Sequence, residues 1–264
     1  MGLYGPWSPY GQTGRITRRL FYLSDALTIF FSIACLSYGA WLVHNRSQYA
    51  ELLEPSLYVD VGRIMIVVSI ISMIFSIYAI YALANELRCG IYFYGIASLV
   101  TFVMLFLGGI MGFVFCNKLT VEIPLDLKMS TSLRELYGAP EMGKVKEAWD
   151  ELQINFRCCG VNGTDDYMIW RTSKWYMHQR TQKIPIPYSC CYPGDYNSCI
   201  QEANGSATNS STGFKFLYTS TCYEPLKADL LNVVDVAAWM LVVSSVVQGI
   251  PAVFAIFYAR LIKK

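Results

Sequence analysis

The chain has 264 residues, of which 54% are hydrophobic and 15% are charged, and its mean hydropathy is +0.35. Soluble globular proteins carry about 25% charged residues, so this composition predicts a membrane protein. A net charge of +2 argues against the clustered basic face that nucleic-acid binding requires, and we predict no nucleic-acid partner.

Four long apolar runs divide the sequence, and each can cross a hydrocarbon core of about 30 Å as an α-helix. We predict spans at residues 20–43, 62–84, 91–115 and 234–258. The remaining segments are an irregular N-terminal tail (1–19), a short loop (44–61), a turn (85–90), a long loop (116–233) and a C-terminal tail (259–264).

The basic residues predict the orientation of the chain, because Lys and Arg residues in the short segments that flank membrane spans stay in the cytosol. They lie in both tails and in the turn, at Arg15, Arg18, Arg19, Arg88, Arg260, Lys263 and Lys264. The six cysteines of the long loop favour an oxidising compartment, which places both loops outside. We therefore predict a multi-pass protein of the plasma membrane, with endosomal membranes as a second location and both termini cytosolic.

Small residues within the spans predict close helix packing, since small side chains let helices approach each other in lipid. One face of the second span carries a stripe of them, and the third span carries a glycine cluster. The members are Ser69, Ser72, Ser76 and Ala79 in the stripe, and Gly108, Gly109 and Gly112 in the cluster.

In the long loop, apolar residues at helical spacing predict helices over residues 117–137 and 141–156. We expect a third helix over 225–234 that leads into the last span. Between Gly160 and Thr221, the sequence of Gly, Pro, Asn, Ser and aromatic residues has no regular pattern. That part cannot build a large core and depends on crosslinks.

Cysteines supply those crosslinks, at Cys158, Cys159, Cys190, Cys191, Cys199 and Cys222. Adjacent cysteines rarely bond each other, because the closed ring strains the peptide between them. This rule leaves several pairings open, of which a bridge from Cys158 to Cys222 would close the largest loop. Sequons for N-glycosylation occur in the predicted external loops at Asn45, Asn162, Asn204 and Asn209.

Two cysteine motifs in this four-span chain resemble the tetraspanin family: Cys-Cys-Gly at residues 158–160 and Pro-x-Ser-Cys-Cys at residues 187–191. Cys199 and Cys222 complete the pattern of the six-cysteine subgroup. The resemblance implies an all-α membrane protein, with a four-helix transmembrane bundle and a disulfide-stapled, mainly helical large extracellular loop. It also implies the disulfide pairs Cys158–Cys222, Cys159–Cys190 and Cys191–Cys199.

The resemblance also bears on the membrane residues. Asp25 stands where the family usually has Asn, Leu105 where it usually has Glu, and Gln248 matches the polar position of the last span. We interpret Asp25 as a carboxyl that is protonated or hydrogen-bonded to a neighbouring helix. Cys89, which is juxtamembrane and cytosolic in this topology, is a predicted palmitoylation site. Binding or transport of a sterol or lipid in a cavity among the four helices is the alternative function.

Residues that enzymes use are sparse in this sequence. His44 and His178, its two histidines, lie in different loops, without metal-ligand spacing or a nucleophile nearby. We predict no enzymatic activity, no metal and no cofactor other than a bound sterol or lipid.

Aromatic residues of the irregular loop segment predict a partner-binding surface, because aromatic side chains anchor protein interfaces. They are Trp170, Trp175, Tyr176, Tyr188, Tyr192 and Tyr196. A small local core is the alternative role for each. The resemblance implies a non-enzymatic scaffold or accessory protein that organises, traffics or matures other membrane proteins. The implied partners are receptors, integrins, membrane proteases or membrane enzymes, together with other tetraspanins and membrane lipid.

Overall fold

The architecture comes from a computed structural model that describes residues 10–46, 49, 57–121, 125–163, 166–180, 183–205 and 215–262. Within these ranges the regular structure is helical, and an isolated antiparallel β-bridge joins Cys191 and Leu217. The chain divides into two compact units. We call Met1–Leu42, Val61–Leu119 and Val233–Lys264 the bundle unit, and Val43–Asp60 and Thr120–Asn232 the loop unit.

In chain order the α-helices are α1 (Gln12–Arg46), α2 (Leu57–Ala84), α3 (Arg88–Val121), α4 (Leu125–Thr131), α5 (Gly143–Phe156), α6 (Lys174–His178), α7 (Tyr196–Asn204) and α8 (Tyr223–Leu261). Helices α1, α2, α3 and α8 are long and apolar enough to cross a membrane. The all-α membrane fold is thus confirmed. Each of the four extends beyond its predicted span, because polar residues at the edge of an apolar run can continue its helix.

Helix α1 shows this extension most clearly. It begins at Gln12, so the prediction of an irregular tail over residues 1–19 is wrong for residues 12–19. Arginine is a strong helix former, and the basic residues of this segment continue the helix outward from the apolar run. Similarly, the predicted turn over 85–90 is shorter, because α3 already begins at Arg88.

The bundle unit packs through small residues, as the sequence predicted. The serine stripe of α2 is buried throughout, from Ser69 at 4% exposed to Ser76 at 1%. At one end of the bundle, alanines of α2 and α8 pack around Phe21 and Tyr94. Helix α8 continues through Pro251 without interruption. Close approach of the helices therefore depends on side chains that leave room for neighbouring backbone.

Gly39 of α1 marks the tightest of these approaches to backbone. A β-carbon added at Gly39 would lie 2.9 Å from the carbonyl oxygen of Gly62 and 3.1 Å from Ile66 Cγ1, both in α2. In contrast, a β-carbon at Gly108 would meet its nearest neighbour, Leu241 Cδ1, at 4.0 Å. The two glycines offer a matched test of packing against helix propensity.

We expect Gly39→Ala to destabilise the bundle by about 1–2 kcal/mol, because the added methyl group forces α1 away from α2. Gly108→Ala serves as the control and should stabilise by up to about 1 kcal/mol, since alanine is the better helix former. Thermal unfolding of the full chain in detergent measures both. Equal effects of the two substitutions would contradict a close α1–α2 contact at Gly39.

The loop unit is mainly helical, but its helices differ in detail from the prediction. Helix α4 passes into a π-helical turn over Ser132–Leu136, and short 3-10 helices cover Asp166–Thr172 and Tyr188–Cys190. Residues 160–221, expected to be irregular, thus contain short helices as well. Polar caps start two of them: Ser173 accepts from Tyr176 N at the start of α6, and Asp195 accepts from Ser198 N at the start of α7.

The short connection after α1 belongs to the same unit. Arg46 forms an ion pair with Asp229 of α8, with 2.8 Å between Nη2 and Oδ1. Asn155 of α5 donates to the hydroxyl of Tyr49 at 2.8 Å, and that tyrosine is 1% exposed. These contacts join segments that are far apart in the sequence into one folded body.

Candidate functional site

Three disulfides crosslink the segment for which the sequence predicted no regular structure. Their pairs are Cys158–Cys222, Cys159–Cys190 and Cys191–Cys199, which are the pairs that the family resemblance implied. The first joins the end of α5 to the start of α8 across 64 residues of sequence. The last spans 8 residues and ties the 3-10 helix over Tyr188–Cys190 to α7.

Backbone hydrogen bonds reinforce these crosslinks. Cys159 N donates to Ser220 O at 2.9 Å, and Tyr223 N donates to Val161 O at 3.0 Å. The β-bridge adds a bond from Tyr218 N to Cys190 O at 3.0 Å. These hydrogen bonds fix the segments that carry Cys159 and Cys190 in register with residues 218–223, and they hold the side chains between these segments in place.

Asp150 of α5 is the polar centre beneath the Pro-x-Ser-Cys-Cys motif. Its Oδ1 accepts from the hydroxyls of Tyr137 and Ser189, each at 2.8 Å, and its Oδ2 accepts from Lys146 Nζ at 2.8 Å. Ser189 also lies 2.6 Å from Gln153 Oε1. Because a hydroxyl carries one proton, Ser189 donates to one of these two oxygens at a time. The motif is therefore anchored to α5 by its serine as well as by its cysteines.

Burial, with the neighbouring Asp150 carboxylate as the next cause, raises the pKa of Tyr137 above its ordinary value. The phenol therefore stays protonated and remains a donor to Asp150 through the physiological range. The Tyr137 hydroxyl therefore occupies one acceptor position of the Asp150 carboxylate, and fewer positions remain for a ligand that donates hydrogen bonds.

The predicted aromatic anchors separate into buried and exposed groups. Trp170 has no exposed surface, so the prediction that it is an exposed anchor is wrong. Its ring packs 4.6 Å from Tyr137, 5.9 Å from Trp175 and 6.4 Å from Trp149, measured between centroids. The local-core alternative therefore holds for Trp170. The sequence did not show this, because a segment without helical periodicity gives no sign of which ring faces inward. Trp175 and Tyr176 are half-buried.

Three tyrosines remain largely exposed: Tyr188 at 53%, Tyr192 at 43% and Tyr196 at 46%. They line a cleft of about 770 Å³, which we call the tyrosine groove. Its other walls include Ile154, Arg157, Trp175, Pro187, Pro193 and Tyr218. Clefts that hold ligands measure about 300–1,000 Å³, so the groove has the size of a binding site. The sequence predicted its tyrosines but not Ile154, Arg157 or Tyr218.

The cap of α7 sits beside this groove and has a pH-dependent strength. Hydrogen bonds from the side chain and the backbone N–H of Ser198 lower the pKa of Asp195. A lowered folded-state pKa means that the cap stabilises α7 above the unfolded value of about 3.9 and loses this contribution as the pH falls through the folded value.

We expect Asp195→Asn to remove the pH dependence of the cap while keeping the helix start, because the single amide oxygen still accepts from Ser198 N. Asp195→Ala should loosen α7 at every pH. Amide hydrogen exchange in α7, measured at neutral and at acidic pH, distinguishes the three proteins. Identical acid-induced exchange in the parent and in Asp195→Asn would show that Asp195 does not titrate in this role.

The predicted modification sites lie at accessible positions where the structure describes them. Asn45, Asn162 and Asn204 are exposed, and Asn209 lies outside the described residues. Cys89 is exposed near the start of α3. Exposure permits modification but does not test it, so glycosylation and palmitoylation stay predictions.

The two predicted polar residues of the membrane lie in different surroundings. Asp25 is fully buried, and the hydroxyl of Tyr94 in α3 donates to its Oδ1 at 3.1 Å, which supports the interpretation of a hydrogen-bonded carboxyl. Gln248 lines a cavity of about 30 Å³ together with Ser32, Ser72 and Ser244, and apolar side chains form the rest of its wall. A buried water needs roughly 10–15 Å³, so this cavity has the size of a water site, and sterol or lipid binding stays a prediction. Leu105 also lines it.

Comparison with known proteins shows which family has this architecture. The Tetraspanin family model matches residues 17–261. The chain is 48% identical to Tetraspanin-15 of Caenorhabditis elegans over 264 residues, which is 100% of both chains. It is 30% identical to the CD151 antigen of Rattus norvegicus over 159 residues, 60% of this chain and 61% of the relative. It is 27% identical to Tetraspanin-11 of Mus musculus over 183 residues, 68% of this chain and 70% of the relative. With four spanning helices and three disulfides in the loop unit, the chain belongs to the tetraspanin family.

Proposed function

We propose that this tetraspanin is a non-enzymatic scaffold or accessory subunit that binds other integral membrane proteins and organises, traffics or matures them. Tetraspanins are membrane scaffold proteins as a family, and the finer assignment is specific to this chain. The observation that carries it is the tyrosine groove, where exposed Tyr188, Tyr192 and Tyr196 stand on a crosslinked support. Rigid aromatic anchors lose little conformational entropy when a partner binds.

The proposed topology places the loop unit outside the cell and both termini in the cytosol. Residues 43–60 and 120–232 belong to one compact unit, which supports a topology with both loops on the same side of the membrane. The six cysteines of that unit are paired, which requires an oxidising compartment. The basic residues at the other ends of the spans agree with a cytosolic location.

The proposed partners are integral membrane proteins: a receptor, an integrin, a membrane protease or a membrane enzyme that needs an accessory subunit. They would meet the loop unit through the tyrosine groove and the spans through lipid-facing surfaces. Many apolar side chains of the spanning helices are exposed, such as Phe30 at 66%, Met104 at 68% and Val253 at 64%. These surfaces fit membrane lipid, other tetraspanins or the spans of a partner.

The alternative, binding of a sterol or lipid inside the bundle, has less support. The cavity beside Gln248 has a volume of about 30 Å³, and both serines and apolar side chains line it. A sterol would need the helices to separate. The scaffold function requires no such opening, so we favour it.

Affinity purification of the tagged full-length chain in a mild detergent tests this function, with stoichiometry from mass spectrometry. One membrane protein in near-equimolar amount would support a dedicated accessory subunit, and many substoichiometric membrane proteins would support a general organiser. Tyr192→Ala/Tyr196→Ala should reduce capture, whereas the exposed Met177→Ala, outside the tyrosine groove, should not. Recovery of the chain alone from its native membrane would contradict a scaffold function.

A further inference from the structure

The tyrosine groove has unequal numbers of free hydrogen-bond donors and acceptors. Among the described residues that line it, Asp150 supplies the carboxylate, and its oxygens already accept from Tyr137 and Lys146, while Ser189 Oγ lies 2.8 Å from Oδ1. Within the described residues, the hydroxyls of its other tyrosines make no side-chain hydrogen bond, at Tyr188, Tyr192, Tyr196 and Tyr218. A phenol can donate or accept, and among the described side chains of the groove the group that only accepts is the Asp150 carboxylate, which already holds hydrogen bonds. Its ligand should therefore be rich in acceptors.

The charge of the groove points in the same direction. Lys146 is neutralised by Asp150, with 2.8 Å between Nζ and Oδ2. Arg157 is exposed and, within the described residues, takes part in no ion pair. Its backbone has a φ of 51°, and its carbonyl accepts from Ser220 Oγ at 2.9 Å, so the residue is held at a fixed place on the rim. Among the described residues, the groove thus presents one uncompensated positive charge, which an acidic group would neutralise.

The apolar walls of the groove favour flat, rigid ligand surfaces. Two pairs of tyrosine rings lie in it, Tyr188 with Tyr196 at 5.5 Å and Tyr192 with Tyr218 at 4.4 Å between centroids. Pro187 and Pro193 lie beside them. Aromatic-lined grooves of this kind bind proline rings of a polyproline II helix, whose preformed backbone loses little entropy on binding.

We propose that the tyrosine groove binds an extended, proline-rich segment with an acidic residue on the external part of a membrane partner. This inference rests on the proposed scaffold function and specifies the chemistry of the partner. Proline has no N–H, and a polyproline II backbone makes no internal hydrogen bonds, so such a segment presents carbonyl acceptors to the tyrosine hydroxyls. Its carboxylate would pair with Arg157. A glycan fits less well, because sugar hydroxyls also need acceptors and Asp150 is already engaged.

Binding can be measured directly with the full-length chain in lipid nanodiscs. The probe is a fluorescein-labelled oligoproline peptide with one central aspartate, followed by fluorescence anisotropy. Two control peptides separate the contributions: one replaces the prolines with Gly and Ser, and the other replaces the aspartate with lysine. We expect saturable binding of the probe, no binding of the Gly/Ser peptide and at least roughly tenfold weaker binding of the lysine peptide.

Matched variants locate the site. Arg157→Asn removes the charge and keeps a residue that tolerates the left-handed backbone, and it should weaken the probe by roughly tenfold. Its control, Arg180→Asn, lies on an exposed residue outside the groove and should have no effect. Tyr192→Ala should also weaken the probe by roughly tenfold, whereas Met177→Ala, at an exposed residue outside the groove, should not. Unchanged binding in Arg157→Asn and Tyr192→Ala would overturn the proposal.

Two further outcomes separate this inference from the proposed function. If an N-acetylglucosamine oligomer binds in the groove and the oligoproline probe does not, the ligand is a glycan and the inference is wrong. If the probe fails to bind while Tyr192→Ala/Tyr196→Ala still loses the captured membrane partner, the inference is wrong and the scaffold function stands. Probe binding by a chain that captures no membrane protein would support the groove chemistry and contradict the scaffold function.

Discussion

Cys158→Ala/Cys222→Ala is expected to destabilise the loop unit by about 4 kcal/mol, because this disulfide closes 64 residues and restricts the unfolded chain most. Both cysteines are fully buried, so the loss of their sulfur atoms also leaves space in the core. Using the double substitution avoids an unpaired thiol that could form a wrong disulfide. The readouts are the thermal unfolding of the purified chain and its delivery to the cell surface. We expect the variant to be retained in the secretory pathway.

A second double substitution provides the control. Cys191→Ala/Cys199→Ala removes the disulfide that spans 8 residues, and the same entropy argument gives about 2.5 kcal/mol. Loss of the longer crosslink should therefore lower the free energy of unfolding of the loop unit more than loss of the shorter one. Unfolding of the Cys158/Cys222 variant at the parent's temperature, together with normal surface delivery, would contradict a stabilising role for that bond.

The spanning helices could be predicted because a membrane imposes a strong and local constraint. A long apolar run has to form a helix, since lipid offers no partner for an exposed backbone group. The ends were harder, and α1 begins at Gln12 because helix propensity continues where hydropathy stops. Membrane length fixes the apolar part of a helix, while capping and propensity fix its ends.

In the loop unit, sequence reasoning predicted the crosslinks but not the groove. The pairing came from the family resemblance, because sequence spacing alone does not select partners among six cysteines. Ser173 and Asp195 are residue types that cap helices, but sequence reasoning did not predict α6 and α7, because these helices are too short to show periodicity. Arg157 was missed because nothing in a single charged residue indicates that it lies at the rim of a cleft.

The burial of Trp170 carries the second large expectation. Trp170→Ala should destabilise the loop unit by about 3–5 kcal/mol, because it empties a fully buried site between Tyr137, Trp149 and Trp175. Partner capture should fall as a consequence of unfolding, and the tyrosine groove should lose Trp175 as an ordered wall. Thermal unfolding followed by tryptophan fluorescence, and limited proteolysis of the loop unit, measure the loss.

Trp170→Phe distinguishes ring packing from hydrogen bonding. The indole Nε1 has no hydrogen-bond partner within the described residues, so phenylalanine removes an unsatisfied donor while it keeps an aromatic ring in the cluster. We therefore expect Trp170→Phe to cost less than about 1.5 kcal/mol. A loss as large as that of Trp170→Ala would mean that the indole N–H is needed, and the account of Trp170 as a packing residue would be wrong. Full retention of stability in Trp170→Ala would instead restore Trp170 as an interface residue.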